Sequence, residues 1–174
     1  MSDTPALKRF YGKYRGTVLN NVDPMQIGRI QAIVPDVSGV VPTSWAMPCL
    51  PVAGINTGVF TVPPIGAGVW MEFEHGDPDY PIWVGGYWGS AAEVPALAHL
   101  VPPAIDGVTI QTTLKNGIVV SDLPGPTGGI MIQTTAGATI SMSEVGIVIS
   151  NGQGATISMI GPTVDINAGA LTVV

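Results

Sequence analysis

Residues 137–142 have the sequence Gly-Ala-Thr-Ile-Ser-Met, and residues 154–159 repeat the same six residues seventeen positions later. At the same offset, residues 146–150 (Gly-Ile-Val-Ile-Ser) align with residues 163–167 (Thr-Val-Asp-Ile-Asn) and with residues 129–133 (Gly-Ile-Met-Ile-Gln). Apolar and small polar residues alternate within each segment, as in a β-strand with one apolar face. A fixed period of this kind predicts a stacked β architecture in which no single unit buries its own apolar face.

Two arrangements fit this repeat: a β-solenoid of one chain, or a triangular prism to which three chains contribute strands. The solenoid is less well supported, because hexapeptide spacing is missing and residues 169–174 (Gly-Ala-Leu-Thr-Val-Val) end the sequence without a polar cap. We therefore predict an intertwined trimeric β-helix (β-prism) needle over residues 107–174, with Thr, Ser, Gln and Asn facing water. The predicted trimer core consists of Ile140, Met142, Ile147, Ile149, Ile157, Met159, Val164 and Ile166.

Residues 13–90 contain five longer strand-like runs, separated by loops rich in Pro and Gly, at residues 14–18, 28–34, 44–50, 69–74 and 82–87. Five strands in so short a segment suit a small OB-fold barrel. Residues 1–12 are interpreted as a polar leader, and residues 91–106, with three prolines, as a linker that holds at most a short helix near residues 93–100. The predicted fold class is all-β, with an N-terminal OB-fold barrel followed by the needle.

The composition favours burial of surface against other chains. Only 10% of the 174 residues are charged, and the mean hydropathy is +0.42, so a monomer would have few polar groups with which to cover its surface. No run of about 18 apolar residues is free of Pro, Gly or charge, and we therefore expect neither a transmembrane helix nor a signal peptide. The single cysteine, Cys49, excludes a disulfide within the chain, and we interpret it as a small buried hydrophobic residue.

The densest group of titratable residues is Glu72, Glu74, His75, Asp77 and Asp79. Such a group is compatible with a metal site or with acid–base carboxylates, but Gly-Asp-Pro-Asp at residues 76–79 is a turn signature in which Asp caps its own backbone. No Gly-x-Ser-x-Gly elbow or Walker A sequence is present, and a β-solenoid hydrolase would need paired inward carboxylates on neighbouring repeats. We therefore predict no catalytic residue, no metal ligand, no cofactor and no enzymatic activity.

The net charge of −6 argues against nucleic acid as a partner, because nucleic acid binding requires a basic surface. The aromatic residues Trp70, Tyr80, Trp83, Tyr87 and Trp88 are nevertheless compatible with a stacking surface. The alternative function is therefore a carbohydrate- or oligonucleotide-binding OB module with a trimerising β-stalk. We favour barrel core and trimer contacts for these rings.

Several short motifs follow one another along the chain. In the first half they are Arg-Gly-Thr-Val (15–18), Asp-Pro (23–24), Gly-Arg-Ile-Gln (28–31), Val-Pro (34–35), Trp-Ala (45–46), Pro-Val-Ala-Gly (51–54), Pro-Pro-Ile-Gly-Ala-Gly-Val-Trp-Met-Glu-Phe (63–73), Gly-Asp-Pro-Asp-Tyr-Pro-Ile (76–82) and Gly-Gly-Tyr-Trp (85–88). In the second half they are Ser-Asn-Gly (150–152), Gly-Ala-Thr-Ile (154–157), Gly-Pro-Thr-Val-Asp-Ile-Asn (161–167) and Gly-Ala-Leu (169–171). In this order they resemble the phage baseplate assembly protein V and gp5-like central spike family, which includes VgrG-like cores of type VI secretion spikes and of extracellular contractile injection systems.

The resemblance implies a structural, non-enzymatic central spike of a contractile-tail baseplate. It implies an OB barrel docked on a gp27-like baseplate hub protein, a homotrimeric needle, a PAAR-like tip protein, and transient contact with the target cell envelope, which the spike punctures when the sheath contracts. The implied location is the baseplate of a virion tail, or an injection particle that is extracellular or assembled in the cytoplasm. The lysozyme domain and the His-x-His tip metal site of some relatives are not expected.

The same resemblance gives two sets of candidate docking residues. Five of the six basic residues lie within the first 30 positions, and we hypothesise that the basic end faces an acidic collar of the hub. The hub-docking candidates are Lys8, Arg9, Lys13 and Arg15. The candidates for contact with the tip protein are Leu171, Thr172, Val173 and Val174.

Overall fold

The computed structural model of the chain describes residues 8–173, with side chains as far as Leu171. It divides into two compact units, one that ends at Glu93 and one that begins at Val94. We call the first unit the barrel and the second unit the meander. In both units β-strands are the main regular secondary structure, which confirms the predicted all-β class.

Five strands of the barrel form one curled sheet. The barrel has seven strands, which in chain order are β1 (Tyr14–Asn20), β2 (Gln31–Ile33), β3 (Met47–Pro48), β4 (Ala53–Gly54), β5 (Thr57–Gly58), β6 (Gly68–Phe73) and β7 (Pro81–Tyr87). The sheet has the order β2-β1-β6-β7-β3, and β4 and β5 pair as a separate hairpin. Bridges from Ile30 to Ala46 and from Ile33 to Pro42 link β2 and the residue before it to the segment that precedes β3. The sheet is thus an OB-like half-barrel, which confirms the predicted OB fold.

Short helical turns lie between or after these strands. An α-helical turn (Pro35–Ser38) follows β2, and 3₁₀ turns occupy Glu74–Gly76 and Ala91–Glu93.

The barrel buries its own apolar face because apolar residues alternate along its strands. Ile30, Val69 and Met71 are each 0% exposed.

Phe10 belongs to this core, although it lies in the segment interpreted as a polar leader. Its ring is 7% exposed and packs against Tyr14 and Phe73, at centroid distances of 5.9 and 6.1 Å. The Phe10 N–H donates a hydrogen bond to the carbonyl of Gly76 at 2.8 Å. The last residues of the leader are therefore held on the barrel, whereas its residues 1–7 lie outside the described residues.

A buried carboxylate organises the loop between β1 and β2. Asp23 accepts hydrogen bonds from the N–H groups of Met25, Ile27 and Arg29 at 3.0 to 3.2 Å, and from the Arg29 guanidinium at 2.6 and 3.0 Å. The guanidinium also lies 5.4 Å from the ring centre of Trp45. The hydrogen bonds from the Arg29 side chain hold the pKa of Asp23 far below its ordinary value, against the opposing effect of burial.

The meander is one antiparallel sheet in which every strand pairs with the next. It begins with a 3₁₀ helix (Ala96–Leu100), and its strands are β8 (Gly107–Gln111), β9 (Gly117–Ser121), β10 (Gly129–Gln133), β11 (Thr139–Met142), β12 (Ile147–Ser150), β13 (Thr156–Ile160), β14 (Thr163–Ile166) and β15 (Leu171–Val173). The seventeen-residue repeat is therefore one hairpin of this sheet. Strands β9 to β14 take both neighbours from their own chain, so the intertwined needle that the sequence predicts cannot arise by backbone pairing of these strands with another chain.

The segment interpreted as a linker contributes to both units. Residues 91–93 belong to the barrel, whereas residues 94–106 pack on the meander. Leu97 is 7% exposed, and its N–H donates to the side-chain oxygen of Gln111 at 2.9 Å. The short helix predicted near residues 93–100 is the 3₁₀ helix, which contacts β8 and β9. None of the helices between residues 8 and 173 has the length and hydropathy needed to cross a membrane.

Candidate oligomer interface and docking surfaces

One face of the meander is apolar along all eight strands. Because neighbouring strands pair residue against residue, the side chains on this face align in two columns that cross the strands. The isoleucine column consists of Ile110, Ile118, Ile132, Ile140, Ile149, Ile157, Ile166 and Leu171. The mixed column consists of Val108, Val120, Ile130, Met142, Ile147, Met159 and Val164.

Both columns keep exposed surface in the single chain, although the mixed column is only partly exposed from β11 onward. Ile110 in β8 is 63% exposed, and Ile132 and Ile157, in the middle of the sheet, are each 39% exposed. Side chains of this kind are normally buried in a folded protein. The eight residues predicted to form a trimer core all lie on this face, four in each column. Their packing against other chains stays a prediction.

The opposite face of the meander is mostly polar beyond its first strands. Val119 in β9 is 4% exposed, on the face that the 3₁₀ helix covers. From β11 onward the central positions of this face are Ser141, Val148, Ser158 and Asp165. The meander therefore has one apolar face that its own chain leaves uncovered and one largely polar face.

The turns of the meander form two rows, one along each side of the sheet. Turn row A lies beside the isoleucine column and comprises residues 112–116, 134–138, 151–155 and 167–170. Turn row B lies beside the mixed column and comprises residues 122–128, 143–146 and 161–162. The turns of row A contact one another, since the Thr135 N–H donates to the Asn116 side-chain oxygen at 3.0 Å. An added Cβ at Gly152 would lie 2.6 Å from the carbonyl carbon of Gly137.

Comparison with protein families gives two matches, one within each unit. Residues 14–88 match the type VI secretion system/phage-baseplate injector OB domain. Residues 107–172 match the phage baseplate V C-terminal trimerisation domain. The chain belongs to the phage baseplate V family. This confirms the resemblance that the motifs indicated, and no curated protein gave a match to the chain.

The baseplate V family is a family of structural baseplate components. The unit of this chain that matches its trimerisation domain is the unit with the uncovered apolar face. An apolar face of this size on a single-layer sheet is explained when other chains cover it.

Two of the hub-docking candidates are paired with the acidic cluster of the same barrel. Arg9 donates to Asp77 at 2.9 Å, and Lys13 forms a salt bridge with Glu72. Because these carboxylates neutralise two of the four cations, the expected basic end is not separate from the acidic residues.

The other two candidates lie against aromatic rings. The ammonium group of Lys8 is 4.9 Å from the ring centre of Phe10. The guanidinium of Arg15 is 5.5 Å from the ring centre of Trp70 and 5.4 Å from that of Tyr87. The structure thus places all four cations along the leader and β1, while their role in hub docking stays a prediction.

The acidic cluster around residues 72–79 has a structural role in the chain. A side-chain oxygen of Asp77 accepts the N–H of Asp79 at 3.1 Å, as in a turn capped by its own Asp. Between residues 8 and 173, no three His, Cys, Asp or Glu side chains come close enough together to hold a metal ion.

The aromatic residues of the barrel are divided among separate environments. Trp83 is buried, and its indole N–H donates to the carbonyl of Gly28 at 3.0 Å. Trp70 lies against Arg15 and against Tyr87, whose ring centre is 5.0 Å away. Tyr80 and Trp88 are exposed, but one precedes β7 and the other follows it, at opposite ends of the strand. The five rings therefore do not all lie on one surface, and the alternative function stays a prediction.

Residues 37–71 form an exposed apolar part of the barrel that the sequence motifs did not indicate. They contain no Lys, Arg, Asp, Glu or His, yet Val40, Ile55 and Phe60 are 87%, 95% and 65% exposed. The sequence could have indicated this apolar surface by its long run without charged residues, because such a run rarely faces water. Cys49 lies in this stretch and is exposed, so the interpretation of Cys49 as buried is wrong for the single chain.

The candidates for contact with the tip protein lie at the far end of the meander. Leu171 begins β15, pairs with Ile166 and is 55% exposed. Thr172 and Val173 continue the strand, but their side chains are not among those described, and Val174 lies outside the described residues. Binding of a tip protein at this strand stays a prediction.

Proposed function

We propose that three copies of the chain form the central spike of a contractile-tail baseplate, with the three meanders as its needle and the barrels as its docking end. The observation that supports this proposal most directly is the apolar face of the meander, which runs in two columns along eight strands and is left uncovered by its own chain. The match of residues 107–172 to a trimerisation domain supports three as the number of copies.

A prism with three faces would bury both columns at once. Each meander would form one face, with its apolar columns toward the common axis and its polar face toward water. Fully burying an exposed Val, Leu, Ile or Met side chain contributes about 1.5–3 kcal/mol. The fifteen side chains of the two columns are partly covered in the single chain, so each would gain only the part of this energy that belongs to its remaining exposed surface. The trimer is therefore expected to be far more stable than an isolated meander.

The same construction suits a mechanical task. Continuous backbone pairing from β8 to β15 gives each face a ladder of hydrogen bonds, and apolar packing along the axis joins the three ladders. A needle of this kind transmits force along its axis when the sheath contracts and so punctures the target envelope. It needs no bound cofactor and no chemical turnover for this task.

The ends of the spike would bind two partners. The barrels are proposed to dock on a gp27-like hub of the baseplate, through Lys8, Arg9, Lys13 and Arg15, and a PAAR-like tip protein is proposed to cover β15. The particle would be a phage tail baseplate, in agreement with the family, or a related injection particle.

Mass measurement by light scattering, together with negative-stain imaging of the full-length chain, tests the proposed function. We expect a rod with three times the mass of one chain. A stable, compact particle with the mass of one chain would refute the proposal. Charge reversal of Lys8, Arg9 and Lys13 tests hub docking separately, because unchanged capture of the hub by the variant would reject these residues as the docking surface.

A further inference from the structure

Most charges of the meander lie in turns beside its first strands. Lys115 is the one Lys or Arg from residue 94 onward, and it lies in turn row A, between β8 and β9. Asp122 directly follows β9 in turn row B, and Asp106 directly precedes β8 on the same side. The Asp122 N–H donates to the carbonyl of Asp106 at 3.0 Å, so the two acidic residues are neighbours. The single cation and this acidic pair therefore lie on opposite sides of the same two strands.

These three side chains are exposed and have no charged partner within the described part of the chain. The salt bridges between residues 8 and 173 involve Arg9, Lys13 and Arg29 in the barrel. The turn that contains Lys115 is fixed in place, since its carbonyl accepts a hydrogen bond from the Gln133 side chain at 3.2 Å. The backbone at Lys115 is thus held in place, and its side chain has no ionic partner among residues 8–173.

Threefold symmetry brings the two turn rows together. In a cyclic trimer each interface is formed by two different surfaces, because the same rotation relates every copy to the next. If each meander is one face of a prism, row A of one copy lies beside row B of its neighbour along every corner. The side with Lys115 then meets the side with Asp106 and Asp122.

The apolar columns alone do not determine how far the two rows are offset along the axis. Their side chains are apolar on every strand, and the offset depends on the tilt of the strands across each face, as the shear does in a barrel. A shift of one hairpin, roughly 9–10 Å at the usual strand spacing, still sets apolar residues against apolar residues. Charged groups discriminate between such alternatives, because a wrong pairing leaves a charge without its partner.

We infer that Lys115 of one copy pairs with the Asp106 and Asp122 carboxylates of the next copy, and that this contact sets the offset between neighbouring chains. The inference rests on the trimer of the proposed function, and it adds the residues that align its chains. Glu144 lies in row B two strands beyond Asp122. If neighbouring chains were shifted by one hairpin, Lys115 would pair with Glu144 instead. Its carboxylate already accepts the N–H of Gly125 at 2.8 Å.

Zero-length carbodiimide coupling tests this pairing in the full-length chain, because it joins an amine to a carboxylate that is already in contact. We expect covalent dimers and trimers on a denaturing gel, and coupled peptides that contain Lys115 with Asp122 or Asp106. Lys115→Arg keeps the charge but removes the reactive amine, and it should lower the yield of these species about tenfold. Coupling of Lys115 mainly to Glu144, or no coupling at Lys115, would overturn the inference.

A charge exchange gives a second measurement. Lys115→Asp should lower the recovery of trimer after refolding severalfold, and adding Asp122→Lys to the same chain should restore it. Equal recovery for the single variant and the wild type would contradict the inference. Light scattering of each sample separates the two proposals: a trimer without Lys115 coupling refutes the register contact alone, whereas a particle with the mass of one chain refutes the spike as well.

Discussion

The barrel and the meander are built from the same alternation of apolar and polar residues, but only the barrel covers its own apolar face. In the barrel, five strands curl until Ile30, Val69 and Met71 are 0% exposed. In the meander, eight strands stay in one layer, and residues such as Ile140 and Ile149 are each 38% exposed. Hydrophobic alternation therefore specifies a strand with one apolar face, but it does not specify what that face packs against.

The difference follows from the connections between the strands of each unit. The barrel has long loops that bring β2 and the segment that precedes β3 together. The meander has short turns between consecutive strands, so each strand meets the next one in the same layer. A unit of the first kind is able to fold around its own core, whereas a unit of the second kind depends on association. Four predictions test this contrast, in decreasing order of expected effect.

The largest effect is expected from a charge placed on the apolar face of the meander. Ile149→Asp would put three carboxylates near the axis of the trimer, and each buried unpaired charge costs several kcal/mol. We expect loss of the trimer, measured as a fall in mass by light scattering.

Val148→Asp is the matched control, because Val148 is adjacent in sequence and lies on the opposite face, which already contains Asp165. The control should keep the mass of a trimer. If both variants remained trimeric, the contrast between the two faces would be disproved.

The second effect is confined to the barrel. Met71→Ala removes a fully buried side chain and should lower the free energy of unfolding of the barrel by about 2–5 kcal/mol. Tryptophan fluorescence in denaturant reports this change, because the Trp residues all lie in the first 88 positions. The mass of the trimer should stay unchanged, and a variant that became monomeric would show that the two units do not fold independently.

The third effect compares two glycines of turn row A. Gly152 and Gly137 both have positive φ, of 72° and 86°, so alanine at either position costs about 1–2 kcal/mol per chain. At Gly152 the new Cβ would also lie 2.6 Å from the backbone of the neighbouring turn, whereas at Gly137 the nearest atom is 3.9 Å away. Thermal dissociation of the trimer should therefore occur at a lower temperature for Gly152→Ala than for Gly137→Ala. Equal temperatures would mean that the turns are not stacked.

The smallest effect is a pH dependence of the barrel alone. Because its hydrogen bonds with Arg29 depress the pKa of Asp23 from an ordinary value of 3.8, the stabilisation is complete above that value and is lost as the pH falls below it. The unfolding midpoint followed by fluorescence should decrease in acid for the wild type. Asp23→Asn should have a lower midpoint at neutral pH, and its midpoint should change less as the pH falls (a flatter acid limb). An equally steep acid limb in the variant would assign the pH dependence to other groups.

Several features of the candidate interface were predictable because they depend on local pattern. The seventeen-residue repeat identified Ile140, Ile149 and Ile157 as residues of one apolar face, and the structure places them in one column. Features that depend on contacts between distant segments were not predictable in this way. The pairing of Arg9 with Asp77 joins residues that are 68 positions apart, and it changed the interpretation of the basic residues.

By itself, the sequence determined the all-β class, the division into a barrel and a repeated β region, the family, and which side of each strand is apolar. These properties follow from composition and from a period of two residues, both of which are local. The tertiary structure decided that consecutive strands pair within one chain, that Phe10 and Leu97 are buried, and that Lys115 lies across the sheet from Asp106 and Asp122. The physical reason is that strand pairing and register are set by turn geometry and by contacts between distant residues, which alternation along one strand does not encode.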